Sequence, residues 1–86
     1  MHTISKFYGI IIRMFYKDNA PPHFHAIYGE YELSMGISPI RILEGEAPNR
    51  MHSMILEWSA LHQEELLDNW ERCQNAQTPL PIEPLK

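Results

Sequence analysis

The spacing of apolar residues changes halfway along this 86-residue chain. Between Phe7 and Leu43 they come in short β-branched and aromatic runs or alternate with polar residues; between Met51 and Cys73 they recur every three or four positions. The first pattern predicts strands and the second predicts helix. FYGIIIRMFY, Phe7 to Tyr16, is the first predicted strand, ended by the turn-forming cluster Lys17-Asp18-Asn19-Ala20-Pro21-Pro22. His23 to Tyr28 is the second and Tyr31 to Met35 the third. Ile40 to Leu43 is a candidate fourth, reached through Gly36-Ile37-Ser38-Pro39, whose proline cannot donate to a ladder and marks an edge or a bend.

Only Gly29 and Glu30 separate the second and third runs, and a two-residue loop led by glycine is a tight hairpin turn. That turn sets Tyr28 opposite Tyr31, Ile27 opposite Glu32, Ala26 opposite Leu33, His25 opposite Ser34 and Phe24 opposite Met35. Because strand side chains alternate, Phe24, Ala26, Tyr28, Tyr31, Leu33 and Met35 share one face, the predicted core. His23, His25, Ile27, Glu32 and Ser34 share the other, and a slip of one residue would invert both sets. On the first strand, Ile10, Ile12, Met14 and Tyr16 would join the core, leaving Ile11, Arg13, Phe15 and Lys17 on the histidine side.

In the second half, Asn49 after Pro48 is the candidate N-cap, and Met51, Met54, Ile55, Trp58, Leu61 and His62 follow helical spacing, resumed by Leu66, Leu67, Trp70 and Cys73. Either one helix runs from Arg50 to about Gln74, or it breaks near His62 and Gln63, where Glu64 and Glu65 suit a new helix start. The closing TPLPIEPLK carries three prolines in nine residues and must be extended, docking through Leu80, Ile82 and Leu85. The expected architecture is a single α+β domain. An antiparallel meander of three to four strands (about 5–43) has one face covered by one or two helices (about 49–75), followed by an extended tail (78–86).

Composition narrows the function classes. At 44% hydrophobic and 21% charged, the chain has ordinary globular character, and its longest apolar run, Ile10 to Ile12, falls far short of the roughly 20 residues that cross a bilayer. MHTISKFYG lacks the pattern of a secretory signal, so a cytoplasmic location without membrane contact is expected. Cys73 is the only cysteine, which excludes an internal disulfide and a multi-cysteine zinc site, and it reads as an inert buried thiol. The net charge of −4 argues against broad adhesion to nucleic-acid phosphates. Residues 1–42 nevertheless carry four bases against three acids, and residues 43–86 three bases against eight acids. An anion would meet the first half, and a basic partner the second.

His23 and His25 are the candidate chemistry. As alternate strand residues their side chains leave the same face roughly 7 Å apart, with Ser34 opposite His25 and Glu32 diagonal to it. A carboxylate beside an imidazole fixes its tautomer and raises its basicity, which suits acid–base work near neutral pH. On this reading His23, His25 and Arg13 are catalytic candidates, and Lys17, Glu32 and Ser34 contact the substrate. The plainer alternative is a pair of solvent-facing strand histidines. His-x-His can also supply two zinc ligands, with His52, His62 or Glu32 as a third, but that spacing is incomplete, and no metal or other cofactor is expected. Pro21 and Pro22 stiffen the chain just before the strand. His62 reads as a boundary residue with one ring nitrogen bonded, Trp58 and Trp70 as core aromatics, and Glu57, Glu64, Glu65, Asp68 and Glu71 as a solvated helix face. The absence of a Gly-rich phosphate loop, a nucleophile elbow and a paired-carboxylate motif removes kinase, nucleotidase and glycosidase readings.

TISKFYGIIIRMFYKDNAPPHFHAIYGEYE, LEGEAP, LEWSALHQEELLDNW and the closing IEPL together resemble the bacterial domain of unknown function family numbered 4160, over nearly the whole chain and most specifically in the PPHFHA block after the FYG-I-IRM run. GISPIRILEG departs from the acidic, Gly-containing turn more usual in relatives at this point. The resemblance implies a small bacterial toxin component of a toxin–antitoxin module with a small partner protein as antitoxin. With the residue reading, it makes the leading expectation a toxin-like effector acting on RNA or another phosphate-bearing target. There His25 would be general acid or base, His23 its partner or phosphate contact, and Arg13 and Lys17 the anion-stabilising charges. The alternatives are a non-catalytic protein-interaction module and, third, a metal-binding protein. An exposed sheet edge would also permit a homodimer.

Overall fold

The computed structural model describes residues 2–86. Five strands, β1 (His2–Phe7), β2 (Ile10–Met14), β3 (His23–Tyr28), β4 (Tyr31–Ile37) and β5 (Ile40–Glu46), form one antiparallel meander in sequence order, followed by α1 (Asn49–Leu61) and α2 (Gln63–Gln74). The α+β class and the helix-covered sheet are as the sequence predicts, but there is one strand more than the expected three to four. FYGIIIRMFY is two elements, not one. Tyr8 and Gly9 both have left-handed φ, 51° and 82°, the requirement of a two-residue reversal whose twist matches the flanking strands. Gly9 is needed twice there, because a Cβ would stand 2.9 Å from the Tyr28 ring.

The β3–β4 register is the expected one at all five predicted pairs, and Phe24, Ala26, Leu33 and Met35 are completely buried. The same face is not buried to its end. Tyr28 and Tyr31 flank the Gly29-Glu30 turn and are 43% and 45% exposed, and Tyr16, past the end of β2, is 40% exposed. These three expected core residues lie outside the core. β5 outruns the predicted fourth strand, with Ser38 and Pro39 as the reversal before it. A bulge near Ser34 and Met35 accompanies Gly45, whose φ of 97° brings its Cα so near β4 that a Cβ would collide with the Glu32 carbonyl oxygen.

There are two helices, separated at His62. Pro48 rather than Asn49 occupies the cap position of α1, without a side-chain hydrogen bond, so the predicted Asn49 cap is not formed. His62 Nδ1 lies 2.6 Å from Glu65 Oε1 and its backbone N–H bonds back to Trp58 and Ser59. Glu64 and Glu65 stand in the first turn of α2, where they complement the positive helix end. Met51, Ile55 and Trp58 of α1 and Leu66, Trp70 and Cys73 of α2 close the core over the sheet. The tail docks through Ile82, with Leu85 partly buried, whereas Leu80 is half exposed. Polar groups hold it as much as apolar ones. The buried Asn69 amide both donates to the Leu80 carbonyl and accepts from the Leu80 N–H, each at 2.8 Å. Trp58 Nε1 donates to the Glu83 carbonyl, and the Ile82 N–H to the Ile4 carbonyl. No helix among the described residues is long and apolar enough to cross a membrane.

Candidate functional site

Pairing of β2 with β3 sets Arg13 opposite His25, and pairing of β3 with β4 sets His25 opposite Ser34. These residues stand on the sheet face away from Phe24 and Ala26. The two imidazoles are not open to solvent as free strand histidines would be: their side chains are only 11% and 15% exposed. Phe15 meets the His25 ring edge-on at 4.7 Å, and Trp70 of α2 lies 5.2 Å from the His23 ring. The rings are 5.0 Å apart, nearer than side chains leaving alternate strand positions would be if they ran parallel.

They converge because both turn towards Asp18, a residue outside the predicted site. Asp18 Oδ2 is 3.1 Å from His23 Nε2 and 3.2 Å from His25 Nε2. The loop after β2 holds the carboxylate in place: its Oδ1 accepts the Asn19 N–H at 2.9 Å, its carbonyl accepts Gln74 Nε2 at 3.0 Å, and the adjacent Lys17 N–H donates to the Cys73 carbonyl at 3.2 Å. One carboxylate oxygen is thus committed to the loop and the other faces the histidines. Burial acts to raise the Asp18 pKa, but the His25 hydrogen bond, the Asn19 N–H and the charges of His23 and His25 outweigh it and hold the carboxyl below its ordinary value.

Of the two remaining ring nitrogens, one is hydrogen-bonded and one is not. His23 Nδ1 lies 2.8 Å from the Pro21 carbonyl. An oxygen of that kind only accepts, so Nδ1 carries a proton there. His25 Nδ1 is buried without a hydrogen bond, 3.5 Å from Glu32 Oε2. Glu32 therefore reaches His25 from the diagonal position that the register predicts. Arg13 is half-buried on the same face, its Nε enclosed without a hydrogen-bond partner, and it forms no ion pair among the described residues. Lys17 is exposed in the loop with a left-handed φ of 51°, and no ion pair or side-chain hydrogen bond ties it to the histidines among the described residues. His52 and His62 belong to α1 and its C-terminal end, apart from this cluster. Asp18, His23 and His25 form the one group of three or more His, Cys, Asp or Glu residues, among the described residues, whose ligand atoms all lie within 4.8 Å of one another. The one sequence signal for Asp18 was its place in the loop that returns the chain from β2 to β3, a few residues before His23.

Neither a curated protein nor a solved structure matches the chain. Residues 9–71 match a family described as "Domain of unknown function (DUF4160)", a span that runs from the β1–β2 turn to α2 and includes Asp18, His23, His25, Arg13 and Glu32. The chain belongs to that family.

Proposed function

We propose that this protein is a toxin-like effector of a bacterial toxin–antitoxin module, acting on RNA or another phosphate-bearing target at the Asp18–His23–His25 centre. The observation that carries the reading is the convergence of two imidazole Nε2 atoms on one carboxylate oxygen, beside an arginine that forms no ion pair among the described residues. Imidazole and carboxylate in contact serve to activate an attacking hydroxyl or water near neutral pH. A guanidinium beside them is suited to two oxygens of a phosphate, its five N–H groups forming a planar fork. In this scheme Arg13 orients the anion, Lys17 adds attraction from the exposed loop, and Ser34 contacts the substrate across from His25. With an overall charge of −4, binding of an anionic target depends on local bases such as Arg13 and Lys17. Controlled expression in bacteria of the natural chain and of a His23→Ala, His25→Ala double variant tests it. Growth arrest with RNA cleavage by the first and not the second is expected; equal arrest by both would remove the histidines from the mechanism.

A second reading, a non-catalytic module that docks a small partner protein, draws on the exposed Tyr8, Tyr28 and Tyr31, which stand at neighbouring hairpin turns. Tyrosine with an apolar body and a wet hydroxyl is favoured in interfaces. On this reading the product of the adjacent reading frame binds the natural chain, and Tyr8→Ser with Tyr31→Ser abolishes binding while the histidine variant retains it.

A further inference from the structure

We infer that Asp18, His23 and His25 are the three protein ligands of a divalent first-row transition-metal ion. The inference deepens the proposed function, on which its role in activating water rests, although binding itself can be measured without any activity. Metal–ligand bonds to imidazole nitrogen and carboxylate oxygen are about 2.0–2.2 Å, so neighbouring ligand atoms in a tetrahedral or octahedral shell lie about 3.0–3.5 Å from one another. Asp18 Oδ2 stands 3.1 and 3.2 Å from the two Nε2 atoms. Two of the three separations therefore have the spacing of a coordination shell before any ion is placed among the atoms, and all three atoms lie within 4.8 Å of one another.

The hydrogen bonds around the cluster point the same way. His23 Nδ1 is committed as a donor to the Pro21 carbonyl, which in the neutral ring leaves the Nε2 lone pair directed at a carboxylate oxygen. Two lone pairs 3.1 Å apart repel, and a cation between them, whether a proton or a metal ion, removes the repulsion. A backbone carbonyl on the far nitrogen is also the usual device that fixes a metal-bound histidine in the required tautomer and orientation. Beside His25 stands Glu32, whose Oε2 lies 3.5 Å from the buried Nδ1 without a hydrogen bond between them. Asp18 has its Oδ1 held by the Asn19 N–H, so it offers the ion a single oxygen.

Two imidazoles and one carboxylate suit zinc, iron(II), cobalt or nickel rather than magnesium or calcium, which take oxygen ligands. Three protein ligands leave at least one position open, the arrangement of a catalytic rather than a structural site. A water there is acidified and supplies hydroxide near neutral pH.

Calorimetric titration of the full chain, prepared without a metal-affinity step and stripped with chelator, with zinc and then with cobalt is the test. One ion per chain is expected, with a rise in thermal midpoint and a visible cobalt absorption. Asp18→Asn, His23→Ala and His25→Ala should each weaken binding by more than about 100-fold and Glu32→Gln by about 10-fold, since loss of even an outer partner costs roughly 10–100-fold. His62→Ala should change nothing. No saturable binding, or binding indifferent to Asp18→Asn in a variant that still unfolds cooperatively, would overturn the inference. The effector proposal fails separately, if the natural chain binds zinc but neither arrests growth nor cleaves RNA. Arrest that needs the histidines and persists in chain that binds no metal would overturn this inference alone.

Discussion

The two faces of the sheet are built by different physics. On the helix-covered face, Ile10, Ile12, Met14, Phe24, Leu33 and Met35 are at most 1% exposed, and their identities follow from the need to fill space without polar atoms. On the opposite face of β2 and β3, half-buried residues carry imidazole, guanidinium and, from the neighbouring loop, carboxylate. Packing alone does not call for these groups, because half-burying polar side chains costs free energy unless they are paired. A region that accepts such a cost while its polar atoms converge on one point is what the proposed centre requires. The difference predicts that changes on the first face are read as lost stability and changes on the second as lost binding.

The largest expected effect is on the covered face. Trp58→Ala or Phe24→Ala should remove about 3–5 kcal/mol, measured by denaturant unfolding, since both are fully buried and touch each other edge to face. Gly45→Ala comes next, with a loss of more than about 2 kcal/mol, because it adds a collision with the Glu32 carbonyl to a left-handed φ. Asn69→Ala should cost about 1–3 kcal/mol by leaving both Leu80 backbone groups without their partner, and it should make the tail susceptible to proteolysis. Asp18→Asn, on the other face, should shift stability by no more than about 1 kcal/mol while abolishing zinc binding. A loss as large as that of Phe24→Ala would erase the contrast between the faces. The smallest effect concerns Cys73, whose burial pushes its thiol pKa up. It should resist alkylation at neutral pH until the chain unfolds, and rapid labelling of the folded protein would show α2 to be open.

The β3–β4 hairpin was legible because Gly29-Glu30 fixes a register and alternation then sorts every side chain. The β1–β2 turn was not, because Tyr8 is a poor turn residue by type and yet takes a left-handed φ beside Gly9. Periodicity also overstated the core at Tyr16, Tyr28 and Tyr31: it gives the face of a residue but not how far the helices extend over that face. For the same reason the tail's anchors on Asn69 and Trp58 were invisible, since they depend on where the helices lie. In the site, the hairpin register brought Ser34 and Glu32 to His25, and alternation put Arg13 on the same side of the sheet. Asp18 escaped because loops lack a period from which a direction can be read, and its orientation depends on contacts with Gln74 and Asn19.

Nitrogen-15 NMR of the imidazoles, before and after one equivalent of zinc, reads the central arrangement most directly. His23 should carry its proton on Nδ1 throughout, held by the Pro21 carbonyl, and the Nε2 resonances of both His23 and His25 should move together when zinc is added. Two rings that exchange freely between tautomers and ignore the ion would contradict the account.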